Sequence, residues 1–125
     1  MAEEKMTGTE QVVQPGQLSV EASTTSGVHV ITVAGEIDHH TGEALRQALD
    51  LSGTPRPRVV VDMQRVAFID SSGINVLIAA HRALTEAGGS LRLAAPGKVV
   101  LRTLSLVGVD TVIDCHETLD QALTD

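Results

Sequence analysis

Two short stretches hold most of the groups able to do chemistry. Asp70-Ser71-Ser72-Gly73 sets a carboxylate and two hydroxyls directly before a run of helical periodicity, and Gly35-Glu36-Ile37-Asp38-His39-His40-Thr41 sets acids and imidazoles before another. An Asp and serines in front of a helix are first of all an N-cap, because their oxygens accept from the free N–H groups of the first turn. Gly73 relieves crowding there. A serine in that place has a second property: a phosphate attached to it sits in the positive field of the helix N-terminus, so the helix need not unfold to accept it. The modification adds roughly -1.5 to -2 charges. Beside Asp70, and with Asp38 expected nearby, it turns a surface fit for a partner into a strongly anionic one.

Other chemistries fit these residues less well. A hydrolase nucleophile needs a base in reach and, for the strand-turn-helix elbow, Gly-x-Ser-x-Gly. Ser71 has Ile69 two residues before it and Ser72 has Asp70, so the elbow is absent, and His39, His40 and His81 serve as bases only if the fold brings them close. The expectation is a protein that is not an enzyme. Asp38, His39 and His40 with Cys115 and His116 lack any zinc-ligand spacing, and a histidine pair beside a helix start is ordinarily solvated. No metal is expected. A phosphate-cradling Gly-x-x-x-x-Gly-Lys-Ser/Thr does not occur, so no nucleotide cofactor is expected. Cys115 has no disulfide partner in the chain and reads as a core thiol.

These loops must be placed by the elements around them. Leu18, Val20 and Ala22 alternate with polar residues, and a turn at Thr24-Thr25-Ser26-Gly27 leads into Val28-His29-Val30-Ile31-Thr32-Val33, a β-hairpin. Ala44, Leu45, Ala48 and Leu49 then form a helical stripe, with Asp38 or Thr41 available as its cap and an end near Leu51. After the Gly/Pro loop from Ser52 to Pro57, Arg58-Val59-Val60-Val61-Asp62-Met63 is a continuous apolar run, typical of a strand covered on both faces. Val66-Ala67-Phe68-Ile69 follows, then a helix through Ile74, Leu77, Ile78, His81 and Leu84 that Gly88-Gly89 stops. Leu91 to Ala94 is a short strand, Pro96 and Gly97 open a helix ended by Gly108, and Thr111-Val112-Ile113 reads as the last strand. Thr118 with Gln121 suggests a capping box for a terminal helix.

The predicted order is β-β-α-β-α-β-α-β-α. It implies an α/β fold with a mixed, mainly parallel sheet, right-handed crossovers, four helices and the hairpin strand at the edge. In such sheets, sites collect where strands run into helices at their carboxyl ends, which puts both loops on one rim.

Length and charge bound the partners. The chain has 125 residues, 42% of them hydrophobic, with a formal net charge of -7. A chain of this size buries about two thirds of its unfolded surface, enough for one core. Residues 1–16 are polar, lack periodicity and read as a mobile tail, with the domain spanning 17–125. With one Phe and no Trp or Tyr there is little on which bases could stack, and acidity disfavours nucleic acid and an anionic membrane alike. The N-terminal MAEEKMTGTEQ has no apolar signal region, so the cytoplasm is expected. Charge is uneven: 3 acids and 7 bases lie between Leu51 and Val109, against 5 acids and no base from Asp110 onward. A solvated mixed surface accounts for this without a single basic patch.

In register, Gly35-Glu36-Ile37-Asp38-His39-His40-Thr41, Val60 to Gly73, Ala87-Gly88-Gly89 and Leu104 to Gly108 resemble the STAS domain of bacterial anti-sigma factor antagonists, over about Gln17 to the C-terminus. The resemblance implies that Ser71 is the phosphoacceptor of a cognate anti-sigma factor serine/threonine kinase, which supplies the ATP. It further implies that Asp38 and His39 belong to the partner interface with Asp70, Ser71, Ser72 and Gly73. The unphosphorylated antagonist would bind the anti-sigma factor and free the sigma factor, and a PP2C-type phosphatase would reset the switch. A monomer or weak dimer is expected. The alternative is a STAS module of another system, a lipid-transport accessory subunit or a stressosome scaffold.

Overall fold

The computed structural model describes residues 17–51 and 53–124. The segment 1–16 read as a tail, Ser52 of the Gly/Pro loop and Asp125 lie outside the described residues. The chain runs β1 (Leu18–Thr25), β2 (Val28–Ile37), α1 (Gly42–Ala48), β3 (Arg58–Ile69), α2 (Ser71–Glu86), β4 (Ser90–Ala94), α3 (Lys98–Leu106), a 3-10 turn at Val109–Thr111, β5 (Asp114–His116) and α4 (Leu119–Thr124). This is the predicted order with one short turn added. The sheet has five strands in the order β1-β2-β3-β4-β5. β1 pairs antiparallel with β2, and the remaining neighbours are parallel.

The hairpin turn is tighter than the sequence suggests. Thr25 pairs with Val28, and Ser26 and Gly27 alone make the reversal, both at positive φ (51° and 81°). That left-handed pair is the type I′ geometry whose twist suits a two-residue hairpin.

β3 explains the continuous apolar run. Val59 and Val61 belong to the large cluster under α1, α2 and α3, whereas Val60 faces the other way, into a small cluster with Val28, Ala94 and Ala122 of α4. Both faces of the strand are therefore covered, and alternation disappears from its sequence. The strand also continues unbroken to Ile69, past the point at Asp62 where β4 stops pairing with it. Bulges in its pairing with β2, between Thr32 and Ala34 and between Gly35 and Glu36, absorb the irregular pattern Val66-Ala67-Phe68-Ile69.

One element is misplaced by the sequence reading. The last strand lies at Asp114–His116, not at Thr111–Ile113. Val109 and Ile113 are both buried, and the Ile113 N–H donates to the Val109 carbonyl at 2.8 Å, so a single helical turn sinks both side chains and leaves Val112 53% exposed. Apolar spacing of four won over a short apolar run. The strand pairing passes to the polar residues that follow, which meet Arg92–Ala94. The first helix also ends earlier than expected, at Ala48 with Leu49 as its cap.

The Thr118–Gln121 pair does cap the last helix. Gln121 N–H donates to Thr118 Oγ1 at 3.1 Å, and the Gln121 side-chain oxygen accepts from the N–H of Glu117 rather than from Thr118 itself. The basic residues of the middle segment scatter over β3 (Arg58, Arg65), α2 (Arg82), β4 (Arg92) and α3 (Lys98, Arg102). Arg92 is turned to structure, donating to the Ala122 carbonyl at 3.0 Å.

Candidate functional site

The two loops leave the carboxyl ends of adjacent parallel strands. Ile37 and Ile69 are register partners at the end of the β2–β3 ladder, and both are buried. The residues that follow them, Asp38 and Asp70, therefore emerge side by side in the fold. One further bond fixes them: the Asp70 N–H donates to the Ile37 carbonyl at 3.0 Å.

Asp70 caps α2. Its Oδ1 accepts from Ser72 N–H at 2.9 Å and Gly73 N–H at 3.2 Å, and its carbonyl takes the first intrahelical bond, from Ile74. The helix behind it is held by Ile74, Leu77 and Leu84 in the main core. Truncating any such buried side chain costs about 2–5 kcal/mol, so the helix start is not free to move. Gly73 is where it approaches the sheet. A Cβ there would lie 2.5 Å from Ile37 Cγ2 and 2.8 Å from Ile69 Cγ1, closer than carbon atoms pack.

Ser71 is the first residue of this helix and is exposed. Ser72 is half-buried and Gly73 buried, so of the two serines in the Asp-Ser-Ser-Gly stretch the first is the more accessible.

The other loop is built around Asp38. Its Oδ1 accepts from His40 N–H at 2.9 Å and Thr41 N–H at 3.1 Å, and Thr41 Oγ1 lies 3.3 Å away. Desolvation acts to raise the Asp38 carboxyl, but those hydrogen bonds, with His40 close by, outweigh it and hold the group below the usual aspartate value. Neither candidate cap serves α1 through its side chain: Thr41 stands at the N-cap position and makes no cap bond. Asp38 closes the loop upon itself instead. His39 and His40 are exposed, with ring centroids 4.0 Å apart.

The predicted rim residues thus come from the Asp38-His39 loop and from the cap and first turn of α2 (Asp70, Ser71, Ser72 and Gly73), joined by the Asp70–Ile37 backbone hydrogen bond. Two of the rival groupings are not assembled. His81 lies ten residues along α2 from Ser71, about 15 Å of helix, too far to act as its base. Cys115 and His116 sit on β5, whose pairing ends beside Ala94, while His39 and His40 follow β2. Among the described residues no three His, Cys, Asp or Glu side chains form a group fit to hold a metal. Cys115 is half-buried, its Sγ 3.5 Å from the Ile113 carbonyl, and burial with Asp110 and Asp114 nearby pushes the thiol up, away from nucleophilic character. What the sequence reading missed is Ile37: placed there in the loop, it is the buried last residue of β2, its carbonyl accepting from Asp70 and its side chain facing Gly73. No helix among the described residues is long and apolar enough to cross a membrane.

Comparison with known proteins gives this arrangement a context. Residues 19–122 match the STAS domain. The chain is 32% identical over 113 residues to the anti-sigma-F factor antagonist RsfB of Mycobacterium tuberculosis, covering 88% of this chain and 90% of that one. It is 26% identical over 110 residues to the anti-sigma F factor antagonist of Paenibacillus polymyxa, covering 86% and 94%. A crystal structure of an anti-sigma factor antagonist from Mycobacterium paratuberculosis superposes with a TM-score of 0.81 at 32% identity, over 90% of this chain and 97% of that one.

Proposed function

The chain belongs to the STAS domain family, and from that premise we propose that it is an anti-sigma factor antagonist switched at Ser71. Its unphosphorylated rim binds an anti-sigma factor serine kinase in the cytoplasm and thereby frees the sigma factor. Phosphorylation of Ser71 by that kinase ends the binding, and a PP2C-type phosphatase restores it. The relatives of matching length named as anti-sigma factor antagonists support the general role. The observation that carries the assignment to Ser71 is its position: an exposed hydroxyl at the first residue of a core-anchored helix, next to the loop of Asp38.

In the transfer step, Ser71 Oγ attacks the γ-phosphorus of ATP, the new O–P bond forms as the bond to the bridging oxygen of ADP breaks, and the hydroxyl proton passes to a base on the kinase. This chain contributes a positioned hydroxyl and no catalytic group, which makes it a substrate and not an enzyme. The phosphate then meets a rim that is already acidic. Ser72 and Gly73 N–H groups are taken by Asp70, so the phosphate lies in the field of the helix end without a hydrogen bond from them, and its oxygens face outward. Its repulsion acts on the partner surface, and the fold beneath stays as built.

The reading is tested by titrating the wild-type chain and Ser71→Asp into an anti-sigma factor kinase from the same genome, loaded with ADP. Binding by the wild type and a loss of at least about tenfold in the variant, or 1.4 kcal/mol, is expected. Equal affinity would remove the electrostatic part of the switch, and no binding by the wild type to any such kinase would remove the function.

A further inference from the structure

Thr41 holds the N-cap position of α1, where a threonine hydroxyl ordinarily accepts from its own helix. Here it makes no such bond. The hydroxyl turns back into the loop instead: Oγ1 donates to the Glu36 carbonyl at 2.7 Å, accepts from the Asp38 N–H at 2.9 Å and contacts Asp38 Oδ1 at 3.3 Å. One side chain thus ties down the strand end before Asp38, the main chain of Asp38 and its carboxylate. With the His40 and Thr41 N–H groups also on Oδ1, no bond among the described residues falls on Oδ2.

We propose that Thr41 is a positioning residue of the docking rim, fixing Asp38 so that Oδ2 is held ready for a cationic or N–H donor of the partner kinase. The inference rests on the function proposed above. Thr41 touches no substrate and acts through Asp38. A carboxylate already fixed by its neighbours loses less rotamer freedom on docking, which strengthens a charge-assisted bond made there. The helix forgoes its cap for the sake of the loop.

Two variants separate this role from simple scaffolding. Thr41→Val keeps the shape and removes the hydroxyl; Thr41→Ser keeps the hydroxyl. In the isolated protein, carbon-detected NMR titration of the Asp38 carboxyl should show its midpoint moving up toward the ordinary aspartate value of about 3.9 in Thr41→Val and staying low in Thr41→Ser. With an anti-sigma factor kinase of the same genome and ATP, Thr41→Val should lower kcat/KM for Ser71 phosphorylation about tenfold, Thr41→Ser should stay within about twofold, and Thr41→Val should add nothing further in an Asp38→Ala background. An unmoved Asp38 midpoint, or an undiminished Thr41→Val effect when Asp38 is already alanine, overturns the proposal. Failure of Ser71 to be phosphorylated in every variant overturns the functional reading instead, and the titration still decides the role of Thr41.

Discussion

The main-chain N–H of Asp70 donates to the carbonyl of Ile37 at 3.0 Å, so the loop that carries Ser71 and the loop that carries Asp38 are bonded to each other where their strands end. The same Ile37 presents its side chain to Gly73, the third residue of α2. The two loops are thus tied together at the backbone and at the helix start. The bonds that join the two loops and cap α2 are made by Asp70, Ser72, Gly73 and Ile37 and do not use the Ser71 hydroxyl, so on the proposed function a phosphate there leaves them in place.

The Gly73 contact is the first point at which the rim should fail. Gly73→Ala forces a methyl against Ile37 and Ile69, and overpacking of this kind costs about 1–3 kcal/mol. Urea unfolding should show that loss, even though alanine is the better helix former by up to about 1 kcal/mol. A variant as stable as the parent would mean that the helix start can shift, and with it Ser71.

Asp70→Ala removes the acceptor of two first-turn N–H groups. A loss of about 1 kcal/mol is expected by urea unfolding. Asp70→Asn should cost less, since an amide oxygen accepts the same bonds. If the two variants were equally damaging, charge on Asp70 and not its capping geometry would be the source.

Two acids set the response to low pH. Hydrogen bonds from the His40 and Thr41 main chain and the Thr41 hydroxyl overcome desolvation and hold Asp38 below its usual value, and hydrogen bonding with Arg46 brings Glu43 to about 2. A carboxyl lowered in the folded state stabilises above its unfolded value and stops doing so as pH falls through the folded one. The Asp38 loop should therefore be unchanged from neutral pH down to about 4 and loosen only below it. Amide exchange at His40, followed against pH, checks this; loosening that is already complete well above pH 4 would contradict it. Both acids are at the surface, so added salt should weaken the Glu43–Arg46 effect.

Much of this architecture could be read from residue order. The two-sided run at Val59-Val60-Val61 and the helix stripe through Leu77 and Leu84 correspond to observed elements because burial dictates each pattern directly, whereas β1 forms where its alternation suggests although Ala22 is exposed and its burial does not alternate. At the candidate site, the helix cap was legible in Asp70-Ser71-Ser72-Gly73, where capping chemistry and spacing agree with the Asp70 bonds observed. Two features were not. β5 is made of polar residues whose pairing depends on β4, a long-range contact that leaves no local trace. Thr41 looks like an N-cap in sequence, and only the folded loop shows its hydroxyl directed at Glu36 and Asp38.

The chain and Ser71→Ala should each be incubated with an anti-sigma factor kinase of the same genome and ATP, then digested and mapped by mass spectrometry. A single phosphate on the peptide containing Ser71, absent in Ser71→Ala while that variant still folds and binds the kinase, is the predicted result. Phosphate on Ser72 or any other residue, or full incorporation into Ser71→Ala, would contradict it.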